Sequence, residues 1–132
     1  MRYPVGRPAK AATALVLVLT LLAAACGVRP LPSNLLQVSG GDPAQGKAAI
    51  EKYGCGSCHQ INGISGANGV VGPPLSGIGS RGTVAGVLAN TPQNMVNWIQ
   101  HPQQIVPGNA MPDMGVTQQD ATNIAAYLYT LK

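Results

Sequence analysis

Five consecutive residues, Cys55-Gly56-Ser57-Cys58-His59, place two cysteines and a histidine within little more than one helical turn. In a C-x-x-C-H segment, the two thiols can form thioether bonds with the vinyl groups of one haem, and the following imidazole can bind the iron. Because three residues span nearly one turn of helix, both sulfurs can face the same side. The motif therefore predicts one covalently attached haem, bound through Cys55 and Cys58, with His59 as an iron ligand.

Two other uses of paired cysteines fit the sequence less well. A thioredoxin-type redox pair lies in a βαβ pattern, which the sequence does not show. A zinc site needs four nitrogen or sulfur ligands. The one other cysteine, Cys26, lies far upstream in a different kind of segment, at the end of an apolar run.

The composition of the 132-residue chain agrees with a small domain built around a cofactor. The chain contains 17 Gly and 11 Pro but no Phe, so much of it should be loop. A loop-rich domain of this size struggles to bury enough apolar surface by itself. A covalent haem would supply a large apolar core, and we therefore expect folding and cofactor binding to be coupled.

The formal charge of +4 is concentrated near the N-terminus. Arg2, Arg7 and Lys10 precede an apolar run over residues 11–25. After that run, five basic residues face four acidic ones, which leaves a net charge of +1. Because no cluster of Lys and Arg remains, the chain does not have the electrostatic footprint of a nucleic-acid-binding protein.

Residues 1–25 have the pattern of an export signal, with a basic start and an apolar run too short for a comfortable membrane span. The run ends in Leu-Ala-Ala-Ala-Cys-Gly at 22–27, which resembles a bacterial lipobox. That resemblance implies a lipoprotein-type signal peptide over 1–25 and acylation of Cys26 at the new N-terminus. An ordinary signal peptide with an A-x-A cleavage site and a retained N-terminal anchor are the alternatives.

All three interpretations of the N-terminus place the domain outside the cytoplasm. We expect it on the periplasmic or outer face of the cytoplasmic membrane, or in the periplasm. Residues 26–41 carry Pro and Gly without a hydrophobic period, and we interpret them as the lipidated N-terminus and a linker. The remaining segment, 42–132, is the predicted haem domain.

Three segments of this domain have helical patterns. Asp42 and Pro43 can cap a first helix that continues to Tyr53. Thr91-Pro92 begins a second helix, in which Met95, Trp98 and Ile99 share one face. The third helix starts after Thr117 and carries an apolar stripe that we expect to cross the first helix at Gly46. The members of that stripe are Ile124, Tyr127, Leu128 and Leu131.

Two loops offer further groups to the haem site. In Gly-Pro-Pro-Leu at 72–75, the Pro73 carbonyl can accept a hydrogen bond from the second ring nitrogen of a metal-bound histidine, although the segment could also be a mere turn. In the 107–114 loop, Met111 and Met114 compete as a soft thioether ligand, and Met111 lies in the stiffer frame between Pro residues. His101 precedes a proline at a helix end and is expected to be a cap or surface residue rather than a ligand.

From about Asp42 to Lys132, these motifs occur in the order typical of class I (mono-haem) cytochromes c, and the domain resembles that family throughout. The resemblance implies an all-α fold, with three to four helices around one haem c and one exposed haem edge. It further implies that Met111 is the axial methionine and that Arg81 lies near a haem propionate. Trp98 is also assigned to the residues that bind the cofactor.

The same resemblance implies single-electron transfer, with a His59- and Met111-ligated iron alternating between Fe(II) and Fe(III), rather than enzymatic catalysis. Two protein ligands leave no coordination site for a substrate, and methionine raises the potential. The expected partners are other redox proteins, with a terminal oxidase as one candidate, in a membrane-associated respiratory chain. The alternatives are a haem-based gas sensor, which needs an open sixth site, and a haem subunit of a larger dehydrogenase or oxidase.

Overall fold

The computed structural model describes residues 37–132 of the chain. Four α-helices, two 3-10 turns and one small hairpin make up this part, so the predicted all-α class is confirmed. In chain order the elements are α1 (Pro43–Lys52), a first 3-10 turn (Cys55–Ser57), a second 3-10 turn (Ile78–Ser80), β1 (Thr83–Val84), β2 (Leu88–Ala89), α2 (Pro92–Gln100), α3 (Pro102–Ile105) and α4 (Gln118–Leu128).

The three longer helices begin at the predicted caps. The Asp42 carboxylate accepts hydrogen bonds from the backbone N–H groups of Ala44 (2.8 Å) and Gln45 (3.3 Å) at the start of α1. The hydroxyls of Thr91 and Thr117 cap α2 and α4 in the same way. Each cap satisfies backbone donors that the first helical turn leaves without an intrahelical partner.

Helices α1 and α4 cross at Gly46, as the sequence predicts. A Cβ at this buried position would overlap the backbone carbonyl of Asn123 and would lie 2.9 Å from the Cβ of Tyr127. Only a residue without a side chain therefore lets the two backbones come this close. Helix α4 also packs against α2, so α1, α2 and α4 share one apolar core.

A two-stranded hairpin between the second 3-10 turn and α2 is absent from the sequence-based expectations. Strands β1 and β2 are antiparallel, with Thr83 opposite Ala89 and Val84 opposite Leu88. The turn between them has positive φ at Ala85 (55°) and at Gly86 (73°). Ala85 is the one non-glycine residue of the described part in this left-handed region, which an L side chain adopts at a free-energy cost.

Residues 37–41, the described part of the predicted linker, pack against α4 instead of extending freely. Val38 is 6% exposed and belongs to the core, and the Asp42 N–H donates to Asn123 Oδ1 (2.9 Å). The packed unit therefore begins before the predicted boundary at Asp42. The predicted signal peptide, Cys26 and the linker up to residue 36 lie outside the described residues. Within residues 37–132, no helix combines the length and hydropathy that a membrane crossing requires.

Candidate functional site

A cavity of about 490 Å³ is lined by α1, α2, α4 and the loops that connect them. Its walls are mainly apolar, and its size is typical of a site for a small organic cofactor. Among the described residues that line it, Arg81 is the one with a formal charge. The three motif residues Cys55, Cys58 and His59 all contribute to the wall.

The motif folds as a tight turn. The first 3-10 turn begins at Cys55, and the backbone N–H groups of Cys58 (3.3 Å) and His59 (3.0 Å) both donate to the Cys55 carbonyl. Both thiols are free, so neither is committed to a disulfide. Burial raises the pKa of the Cys55 thiol, which disfavours the thiolate before the thiol reacts.

The imidazole of His59 is oriented by the following loop. Its Nδ1 lies 2.8 Å from the carbonyl oxygen of Pro73. Because a carbonyl can only accept, Nδ1 must carry the hydrogen, and the lone pair of Nε2 is then available to a metal. Gly72 makes this approach possible, since a Cβ there would overlap the imidazole ring.

Arg81 holds the loop that contains Pro73. Its Nη2 donates to the backbone carbonyls of Pro74 (2.6 Å) and Ser76 (2.9 Å) while the residue lines the cavity. The structure therefore gives Arg81 backbone partners that the sequence did not indicate. Trp98, half-buried on α2, lies in the same cavity wall.

Both candidate methionines line the cavity, but they differ in exposure. Met111 is half-buried, whereas Met114 is 43% exposed. His101 is exposed at the C-cap of α2 and is not among the residues that line the cavity.

Three residues near the cavity were not identified from the sequence. Tyr53 lines it and donates from its hydroxyl to Asp120 Oδ2 (2.7 Å). The side-chain amides of Gln103 and Asn109 bind the backbone around Met111. Asn109 had a local signal, because asparagine often binds the N–H group two residues ahead. Gln103 had none, because a glutamine in a short helix is usually solvated.

The side chains around the cavity fit a covalently bound haem. Two free thiols border an apolar space of suitable size, together with a histidine whose Nε2 is available and a methionine thioether. Histidine with methionine is a known axial pair for haem iron, and paired thiols in C-x-x-C-H are the known attachment groups.

Comparisons with known proteins agree with a covalently bound haem in this domain. A protein-family model described as Cytochrome c matches residues 43–132. The chain is 33% identical to cytochrome c2 of Agrobacterium tumefaciens over 105 residues, which cover 67% of this chain and 90% of the relative. It is 35% identical to cytochrome c2 of Rhodopila globiformis, covering 70% of this chain and 95% of the relative.

A second kind of relative is much longer. The chain is 35% identical over 89 residues to cytochrome c oxidase subunit 2 of Alkalihalophilus pseudofirmus, which covers 67% of this chain. The matched segment spans only 25% of that relative. The similarity therefore concerns one part of the oxidase subunit and not the whole of it.

Proposed function

The chain belongs to the cytochrome c family, and we propose that it carries single electrons between redox proteins with a haem iron bound by His59 and Met111. Family membership establishes covalently bound haem c and electron transfer by a c-type cytochrome. The axial ligands, the partners and the membrane setting are our proposals. The observation that carries the assignment of the axial ligands is the His59–Pro73 hydrogen bond, which leaves Nε2 available in the cavity that Met111 also lines.

The protein's own contribution is binding, orientation and exclusion of water. When bound, the haem supplies a one-electron change at its iron. Cys55 and Cys58, at the start and the C-cap of the first 3-10 turn, would hold the cofactor, and Pro73 keeps the His59 ring in one tautomer. The apolar lining keeps water away, which limits the reorganisation that accompanies a change of charge.

Paired substitutions of the two methionines test the axial ligand. Met111→Ala should abolish the iron–methionine absorption band of the ferric protein and lower the midpoint potential by on the order of 100 mV, because the ferrous state loses its thioether ligand. Met114→Ala is the matched control and should leave both unchanged. An unchanged iron–methionine band and potential in Met111→Ala would show that Met111 is not the ligand and would leave Met114 in that role. Absence of the band from the wild type would instead favour the gas-sensor alternative.

We propose that partners approach the mouth of the cavity. Val71 and Met114 line the cavity and are 65% and 43% exposed, respectively. Val70 (81% exposed) adjoins Val71 in the chain, and Val87 (60% exposed) adjoins the lining residue Gly86. An apolar rim of this kind suits brief contacts with another redox protein and gives little long-range charge steering.

Membership of a larger oxidase is the second candidate function. It is favoured by the similarity to part of cytochrome c oxidase subunit 2 in three relatives. As a free carrier, the protein would not itself be an enzyme; as a subunit, it would act only inside a complex. Affinity purification of the full chain in mild detergent distinguishes the two, because recovery as a lone monomer would count against the subunit.

We further propose that lipidation of Cys26 holds the protein at the periplasmic or outer face of a bacterial cytoplasmic membrane. The support is the lipobox-like sequence at 22–27, which lies outside the described residues. A lipid anchor would raise the effective concentration of membrane-bound partners. Cys26→Ser should abolish acylation, detected by mass spectrometry, and release the domain from membranes. Retention of an unacylated protein would indicate an uncleaved anchor instead.

A further inference from the structure

The segment that carries Met111 has almost no regular structure of its own. Residues 106–117, between α3 and α4, contain neither a helix nor a strand. A thioether on such a loop would sample many positions, most of them away from the iron. The larger the number of these positions, the smaller the fraction of molecules whose thioether can bind the iron. The conformation of this loop therefore has to be fixed by other groups.

The side chain of Gln103, in α3, forms three hydrogen bonds to this loop. Its Nε2 donates to the carbonyl oxygens of Asn109 (2.9 Å) and Met111 (2.7 Å). Its Oε1 accepts from the Gly108 N–H (3.1 Å). Both amide hydrogens and the amide oxygen are thus used, and the side chain is half-buried.

The side chain of Asn109 binds the same loop from within. Its Nδ2 donates to the carbonyl oxygens of Pro102 (2.9 Å) and Val106 (2.7 Å). Its Oδ1 accepts from the Met111 N–H at 2.7 Å. The loop is therefore bound both to α3 and to itself through a second fully used amide.

Together, the two amides bind both peptide groups that flank the Met111 side chain. Asn109 accepts from the Met111 N–H, and Gln103 donates to the Met111 carbonyl. Fixing both peptide groups restricts φ and ψ of Met111, and so fixes the direction of its Cα–Cβ bond. This direction limits the positions in the cavity that the thioether can reach through its side-chain rotamers.

We propose that Gln103 and Asn109 are positioning residues, whose side-chain amides hold the Met111 loop in the conformation that presents the thioether to the haem iron. The inference rests on the proposed ligation by Met111. It differs from a general stabilising role because it concerns one equilibrium, between iron with methionine bound and iron with methionine displaced. A group that fixes the loop in advance favours the bound form.

Imidazole titration of the ferric holoprotein measures this equilibrium, because imidazole must displace the methionine to bind. A hydrogen bond of this type changes an equilibrium roughly fivefold, and loss of two or three bonds should change it more than tenfold. We expect Gln103→Ala and Asn109→Ala each to bind imidazole at least about tenfold more tightly than the wild type. We also expect both to lose intensity in the iron–methionine band and to have lower midpoint potentials.

Gln104→Ala is the matched control. Gln104 is the next residue in α3, is exposed, and forms no side-chain hydrogen bond within residues 37–132. Its imidazole affinity should match that of the wild type. Asn109→Asp keeps the acceptor for the Met111 N–H but loses both donors, and it should give an intermediate affinity. Gln103→Glu, which preserves the shape of the side chain, replaces Gln103→Ala if that variant does not fold.

The outcomes separate this inference from the proposed function. If the wild type shows the iron–methionine band but all Gln103 and Asn109 variants bind imidazole like the wild type, the positioning role is wrong and the ligation remains. If the wild type has no such band, ligation by Met111 is wrong, and the positioning role with it. Thermal unfolding of each variant is measured in parallel, because a merely structural effect would lower the unfolding temperature without tightening imidazole binding.

Discussion

The hydroxyl of Tyr53 donates a 2.7 Å hydrogen bond to Asp120 Oδ2 and thereby links the C-cap of α1 to the first turn of α4. The same carboxylate oxygen lies 3.0 Å from Lys52 Nζ. The Tyr53 hydroxyl, followed by the Lys52 ammonium group, lowers the pKa of Asp120. Since Tyr53 also lines the cavity, this contact joins the wall of the haem site to helix α4.

The lowered pKa of Asp120 predicts a specific acid sensitivity. A carboxylate whose pKa is lower in the folded protein contributes stability above its unfolded pKa of about 4 and loses it as the pH falls through the folded value. Asp120→Asn should therefore flatten the decline in the free energy of unfolding below about pH 4. Urea unfolding of the holoprotein at a series of pH values measures this slope.

Glu51→Gln is the control for that experiment. Glu51 is an exposed carboxylate on α1 with no side-chain hydrogen bond among the described residues. Its removal should leave the acid slope close to that of the wild type. Equal slopes in the Asp120→Asn variant and the wild type would show that the Tyr53–Asp120 contact contributes no pH-dependent stability.

The close crossing at Gly46 predicts a large effect from one methyl group. In Gly46→Ala, the new Cβ would meet the Asn123 carbonyl, a backbone atom that cannot move without displacing α4. We expect the free energy of unfolding to fall by about 3 kcal/mol. Gly82→Ala is the control, because a Cβ at Gly82 meets nothing within 4 Å, and it should change stability by less than about 0.5 kcal/mol. Similar effects of the two substitutions would contradict this account of the crossing.

Local sequence patterns were sufficient for the three longer helices and for the crossing of α1 and α4, but not for the short helix α3. The caps at Asp42, Thr91 and Thr117 use side chains that bind backbone groups two or three residues away, so a short window of sequence carries the information. Gly46 was identified because it interrupts an otherwise helical face where α4 must come close. The caps depend on near neighbours, and a glycine inside a helix marks the crossing although its partners are distant in the chain, so both could be predicted from the sequence.

In contrast to Gly46→Ala, a substitution in the hairpin turn is expected to stabilise the protein. Ala85 has φ of 55°, a conformation that glycine adopts without strain. Ala85→Gly should therefore raise the free energy of unfolding by about 1 kcal/mol. Ala48→Gly on the exposed face of α1 should lower it by a similar amount, because glycine is a poor helix former. Destabilisation by both substitutions would mean that Ala85 is not strained in the folded protein.

Three features could not be predicted from the sequence, because no local pattern marks them. Tyr53 and Asp120 are 67 residues apart, and no pattern in either helix indicates that they meet. The hairpin at 83–89 is only two residue pairs long, too short for a visible alternation of polar and apolar residues. Gln103 resembles any surface glutamine until the loop folds back over α3.

The apolar rim of the cavity predicts where electrons leave the protein. Val71→Asp would place a carboxylate at the mouth, where a contact must remove it from water. Electron self-exchange, measured by NMR in mixtures of ferric and ferrous protein, should slow by about tenfold or more. Gln45→Asp introduces the same charge on an exposed position of α1 and should change the rate much less. Equal rates in both variants would place the contact surface elsewhere.

Visible absorption spectra of the purified protein, oxidised and reduced, test the central claim most directly. After production in a host that attaches haem to C-x-x-C-H motifs, we expect a c-type haem spectrum that stays with the chain when it is unfolded. We also expect an iron–methionine band in the ferric protein that is missing from Met111→Ala. A colourless protein, or a haem that can be extracted from the unfolded chain, would contradict covalent attachment through Cys55 and Cys58.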